Sequence, residues 1–148
     1  MSICILDTSI FLEILNVPDK ATQHQKIVSD LKTKLEQNES FLLPMATIIE
    51  TGNHIAQNGD GTIRRSIAQK FVEQVKKALE GESPFKVIQF PQREDMALWL
   101  EQFPDSAMRG SGLGDLSIVQ DWEKMCRKNP HHHVYIWSLD NHLSSYCK

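Results

Sequence analysis

Hydrophobic residues follow two kinds of pattern along this chain. Ile3-Cys4-Ile5-Leu6 and Val134-Tyr135-Ile136-Trp137 are unbroken apolar runs. Runs without polar alternation suit strands buried on both faces, as in a parallel sheet. Phe41-Leu42-Leu43, ended by Pro44, predicts a further short strand, and Lys86 to Phe90 another. Elsewhere the apolar positions recur at three- and four-residue intervals. Ile10, Leu12, Ile14 and Leu15 follow Asp7-Thr8-Ser9 in a helical stretch that Asn16-Val17-Pro18 breaks. Residues 23–37 carry Ile27, Val28, Leu31 and Leu35, and residues 45–57 form the next predicted helix, with Glu50 in its second turn.

Asn58-Gly59-Asp60-Gly61 is a turn signal. Thr62 is then placed to cap a helix reaching Leu79, with Ile63, Ile67, Phe71, Val75 and Leu79 in an i,i+4 row. Gly81-Glu82-Ser83-Pro84 ends it. A helix over 93–103 carries Met96, Leu98, Trp99 and Leu100, and a polar, glycine-bearing loop over 104–114 leads into a helix over 115–127. The last clear strand covers 134–138, and a short helix begins near Asn141. No internal repeat or linker divides the chain, so 1–148 is read as one domain. Strands alternating with helices predict a layered α/β fold around a mainly parallel sheet.

The length suffices for a substantial core. With 24% charged residues and a net charge of -3, the chain is neither disordered nor a basic nucleic-acid coat. A local basic patch can still serve a nucleic-acid partner. The three scattered cysteines, Cys4, Cys126 and Cys147, suggest neither a disulfide framework nor a zinc knuckle, and fit a reduced cytoplasm. No signal peptide and no membrane span are expected.

Four acids stand where predicted strands end or helices begin: Asp7, Glu50, Asp115 and Asp140. Ligands of open parallel sheets bind outside the carboxyl ends of the strands, and Asp7 and Asp140 sit at that edge. Converging carboxylates without basic partners repel one another and are tolerated chiefly around a hard divalent cation. Each acid also has a plainer explanation. Asp7 and Asp115 can cap helices, and Asp140 can be a turn residue. Glu50 is harder to dismiss, because it lies on a mostly apolar helix.

Other residues invite weaker readings. His142 is near enough in sequence to Asp140 to carry a proton, and His54 follows Glu50 on the same helix face. Solvated or core roles account for both more simply. The side chains of His131-His132-His133 diverge, so that run is not expected to form a metal site. Gly110-Ser111-Gly112-Leu113-Gly114 departs from the dinucleotide fingerprint and suits a flexible entry to the Asp115 helix. Arg64 and Arg65, with Lys70, Lys76 and Lys77, give one helix a basic face, and Arg109 precedes Asp115 in a position to meet a phosphate. Trp99, Trp122 and Trp137 fall within apolar patterns and read as core.

In combination these pieces resemble the PIN-domain nucleases, including the VapC-type ribonuclease toxins. The matching segments are Ile5-Leu6-Asp7-Thr8-Ser9, Leu43-Pro44 followed by Glu50, Gly114-Asp115-Leu116-Ser117-Ile118, and Ser138-Leu139-Asp140. The resemblance spans nearly the whole chain. It implies a three-layer α/β/α fold with four or five strands, and a phosphodiesterase in which Asp7, Glu50, Asp115 and Asp140 hold Mg2+ or Mn2+. Thr8, Ser9 and Ser138 would orient those carboxylates or a water, and Arg109, Arg64 and Arg65 would contact phosphate or RNA. The implied substrate is RNA, with DNA still open, and the implied partners are a small antitoxin and a second copy in a homodimer. Ser138 stands where the family commonly has Thr, and His142 and Leu143 stand where it often has an acid and an aromatic. A fifth strand is expected to be absent or very short. Those departures motivate the alternative, a catalytically weak PIN-like module that binds RNA or a protein. An α/β phosphatase is disfavoured, because its D-x-D motif is missing at Asp7-Thr8-Ser9.

Overall fold

A computed structural model describes residues 1–148. The elements run β1 (Ser2–Leu6), α1 (Thr8–Leu15), α2 (His24–Glu36), β2 (Ser40–Leu43), α3 (Met45–Ala56) and α4 (Gly61–Leu79), then β3 (Phe85–Val87), α5 (Arg93–Met108), α6 (Leu113–Lys128), β4 (His133–Trp137) and α7 (Asn141–Ser144). The strands form one parallel sheet in the order β3-β2-β1-β4. In register, Ile5 lies opposite both Leu42 and Ile136.

The unbroken apolar runs are explained by two cores, one on each face of the sheet. Alternate residues of β1 serve different faces, as the two-residue period of a strand requires. Cys4 and Leu6 join Phe11, Phe41, Leu43, Ile55 and Phe85 beneath α1 to α4. Ile3 and Ile5 join Ile118, Val134, Ile136 and Leu143 beneath α6 and α7. In the first core the ring of Phe11 meets Phe71 at 6.1 Å and Phe85 at 6.2 Å, in tilted and edge-on arrangements. Burying each such side chain contributes about 1.5–3 kcal/mol. Burial also pushes the Cys4 thiol up to about 12, so this cysteine is inert packing. No helix is long and apolar enough to cross a membrane.

Several local details differ from the sequence expectations. Asp60, not Thr62, caps α4, its carboxylate accepting from Ile63 N at 2.9 Å. The positive φ of 61° at Gly59 turns the chain early enough to allow this. Helix α5 continues through Pro104 to Met108 where a loop was expected. Its last turn is anchored by buried Ser106, whose hydroxyl donates to Ser111 O at 3.0 Å. Leu100, whose carbonyl Pro104 cannot serve, is exposed to water. Strand β3 is shorter than 86–90, although Ile88 N still donates to Leu43 O at 3.0 Å. Beyond the four strands, Tyr135 makes a single antiparallel bridge with Cys147, so the fifth strand, expected to be absent or very short, is a stub along β4.

A charged residue also lies fully inside. Glu13 is 1% exposed, and its two oxygens accept from Thr22 N and Gln23 N at 2.9 Å each, at the start of α2. Its charge is thereby answered by free amides at a helix N-terminus.

Candidate functional site

The crevice lies at the carboxyl edge of the sheet, where chain direction diverges from central β1 toward β2 on one side and β4 on the other. Asp7 follows the last residue of β1, and its backbone N–H still pairs with Trp137 O of β4 at 3.0 Å. Its carboxylate is 5% exposed and caps α1. Ser138 Oγ donates to Asp7 Oδ2 at 2.7 Å and Ser9 Oγ at 2.8 Å, with Ser9 N at 3.4 Å. All three bonds fall on one oxygen. Oδ1 takes none and is not sealed from solvent, so it stays available to a ligand.

The two serines also fix the end of β4. Ser138 Oγ accepts from Asp140 N at 2.9 Å, and Ser9 Oγ accepts from Leu139 N at 3.0 Å. Asp140 then caps the short helix α7, accepting from His142 N at 2.8 Å. On the other side, Thr47 Oγ1 donates to Leu6 O at 2.7 Å and draws α3 against the end of β1. One turn later on α3, Glu50 accepts from Thr8 Oγ1 at 3.2 Å.

Helix α6 delivers the remaining acid. It starts at Leu113, with Gly112 as its cap, so Asp115 lies inside the first turn and makes no capping bond. Gly114 leaves room for the Glu50 carboxylate, since a Cβ there would lie 2.9 Å from Glu50 Cδ. Desolvation raises the affinity of the half-buried Asp115 carboxyl for its proton, and the negative charges of Asp7, Glu50 and Asp140 add to the effect. Only His142 opposes it. The ion pairs of the molecule are Lys77–Glu73 and Lys124–Asp95, so none of the four crevice acids has a cationic partner.

The acids surround the crevice rather than meeting at a point. No three carboxylates, imidazoles or thiols come together as a ready-made cation cage. The donor set is nonetheless all oxygen, which suits Mg2+ or Mn2+. Asp115 and Asp140 share a cleft of about 450 Å³ with Arg109 and His142. Glu50 and Gly114, the residue before Asp115, line a second cavity of about 280 Å³.

The other residues singled out in the sequence are dispersed. Arg64 and Arg65 line a separate groove between α3 and α4 that none of the four acids reaches, and Arg64 Nη1 is occupied with Gly59 O at 2.5 Å. His54 Nδ1 is enclosed and without a partner. His133 stacks on Tyr135 at 5.2 Å, away from the crevice. Trp99 is buried, and Trp122 Nε1 donates to Val134 O at 3.0 Å.

Asp121 belongs beside the crevice and was not singled out. It lines the Glu50 cavity, makes no side-chain hydrogen bond or ion pair, and is pushed up to about 7 by burial. A sequence signal existed: Gly114, Ser117, Ile118, Asp121, Trp122 and Met125 form one inward stripe of α6.

No protein-family profile matches the chain, and no curated protein matches its sequence. By shape it superposes on the crystal structure of FitAcB from Neisseria gonorrhoeae with a TM-score of 0.59, over 97% of this chain and 90% of that one. The fold is PIN-like. At 13% identity the likeness concerns the fold alone. Within this PIN-like fold the acids of the crevice come from β1, α3, α6 and the end of β4, elements widely separated in the chain.

Proposed function

We propose that the chain is a metal-dependent nuclease, an endoribonuclease that hydrolyses phosphodiester bonds at the Asp7, Glu50, Asp115 and Asp140 crevice. The observation that carries this reading is the gathering of four carboxylates at one sheet edge with no cationic partner. Such a crevice repels a polyanion until positive charge is added. Mg2+ or Mn2+ bound there would polarise the scissile phosphate and lower the pKa of an attacking water.

The residues have distinct tasks in this scheme. Ser138 and Ser9 hold Asp7 through Oδ2 and leave Oδ1 for the ion. Thr8 steadies Glu50 from across the crevice. Asp115 and Asp140, which line one cleft, would offer further carboxylate oxygens to the ion. Arg109 shares the Asp115 cleft and would meet a substrate phosphate. Arg64 and Arg65 would engage RNA only where it extends into the α3–α4 groove. Likeness to VapC-type toxins would pair the chain with a small antitoxin, and homodimerisation belongs to the same expectation.

The test is incubation of purified protein with a defined panel of RNAs and a DNA control, with and without manganese. Cleavage should require the ion and be lost in Asp7→Asn and Asp115→Asn, with both variants still folded. Full cleavage by both would defeat the reading. A second reading, a catalytically weak PIN-like binding module, is favoured by the absence of a closed cation cage. Calorimetric manganese titration separates the two: a saturable site lost in Asp115→Asn supports the nuclease, and no saturable site supports the module.

A further inference from the structure

Behind Glu50 and Gly114 lies a cavity of about 280 Å³ that the carboxylate chemistry does not use. Half of its lining is apolar, with Met45, Ile49, Met96 and Trp99 prominent, and Glu50, Gln89 and Ser117 contribute polar groups. Asp121 lines it too, on the same helix as Asp115 but two turns further along. Ile49 is 53% and Met96 40% exposed at the rim, so the protein leaves this apolar surface uncovered.

We infer that this cavity receives one nucleobase of the substrate strand, next to the cleaved phosphodiester, and that Asp121 selects a base bearing an exocyclic amino group. The choice of RNA as the ligand rests on the nuclease reading. The choice of a base rests on the cavity itself. Its volume suits one planar ring system and is too small for a helix face, and Glu50, one of the four acids, forms part of its wall. Apolar side chains with a few polar groups among them match how unstacked bases are held, by stacking and by contacts to their edges. Of those groups Gln89 is exposed and the Ser117 hydroxyl donates to Gly114 O at 2.7 Å, which leaves Asp121 as the enclosed one without a partner.

Asp121 supplies the discrimination. Lys124, the cation nearest in sequence, is engaged by Asp95 at 3.2 Å, and Asp121 has no partner within the protein. A half-desolvated carboxyl with no partner is costly, and burial pushes it up to about 7. Whether ionised or not, it accepts from an N–H. Adenine, cytosine and guanine each offer an amino group, whereas uracil presents a ring N–H between two carbonyl oxygens that the carboxyl repels. Asp121 is thus assigned as a specificity residue, separate from the acids that would hold the ion.

The test uses the whole protein with EDTA present and the four uncharged nucleosides as probes. The Trp99 indole N–H resonance reports on the cavity. Adenosine, cytidine or guanosine should shift it saturably, with uridine weaker by roughly tenfold. Asp121→Asn should erase that difference. Ile49→Trp, a rim substitution at an exposed position, should block all four without lowering the melting temperature. An unmoved Trp99 signal, equal binding of all four, or saturation only by an amphipathic peptide would overturn the inference. Discriminating nucleoside binding without manganese-dependent cleavage would remove the nuclease reading and keep the pocket. Asp7-dependent cleavage with Trp99 unmoved would do the reverse.

Discussion

Gly114→Ala measures how tightly α6 is drawn against Glu50. The new Cβ would lie 2.9 Å from Glu50 Cδ, well inside van der Waals contact. Helix α6 has little freedom to retreat, because Ile118 is fully buried with Ile3, Ile5, Val134 and Ile136. The Glu50 side chain must therefore swing away and give up its bond from Thr8. Two effects oppose each other. Overpacking costs about 1–3 kcal/mol, while alanine in place of a helical glycine returns about 0.5–1 kcal/mol. The expected net loss is about 0–2.5 kcal/mol, or at most several degrees in Tm for a chain of this size. Urea denaturation followed by far-UV circular dichroism measures it. The decisive comparison is the same substitution in a Glu50→Ala background, where the clashing group is gone. There Gly114→Ala should stabilise by about 0.5–1 kcal/mol. An equal effect in both backgrounds would refute the close approach. Manganese affinity should fall in the single variant, since Glu50 no longer faces the crevice.

Three further outcomes follow from the packing and the charges. Ser138→Ala removes a 2.7 Å bond to the buried Asp7 carboxylate and should cost about 1.5–3 kcal/mol in urea denaturation at neutral pH. Phe11→Ala opens the space between Phe71 and Phe85 and should cost about 3–5 kcal/mol by the same assay. Asp121→Asn should change stability in a pH-dependent direction. The folded carboxyl, at about 7, keeps its proton to higher pH than the unfolded one, at 3.8. Below pH 3.8 both states are protonated and the burial cost is absent; the cost grows as pH rises and is complete above about 7. It reaches at most about 4 kcal/mol, reduced by whatever water enters the cavity. Asn should therefore stabilise the protein at pH 8 and be nearly neutral at pH 4, as read by thermal melts; a pH-independent difference would contradict the assigned burial.

The strands and the acids at their ends were legible because they obey local rules. Ile3-Cys4-Ile5-Leu6 is apolar throughout since each face has its own core, and Asp7 caps the helix that follows. Glu50 stood out as an acid on an apolar helix. What stayed hidden depends on distant partners. Nothing near Glu13 announces that it answers the amides of Thr22 and Gln23. Asp60 and Thr62 are both competent caps, and the backbone at Gly59 decides between them. Pro104 promised a helix end, yet the buried Ser106 holds the helix for another turn. Gly114 read as one of several loop glycines until α3 was set against it. Asp121 lay on the inward stripe of α6, but its significance needed the cavity opposite.

The bond from Ser138 to Asp7 joins positions 131 residues apart, and it completes the pairing of central β1 with β4. During synthesis, then, the first strand emerges with one flank bare and its acid unpinned. A ribosome must carry translation past Ser138 before that flank can be covered. Closing so long a loop is also slow compared with forming local helices. Nascent fragments would hold folded helices around an unfinished crevice, so the pinning of Asp7 would come after the helices between the two strands have formed.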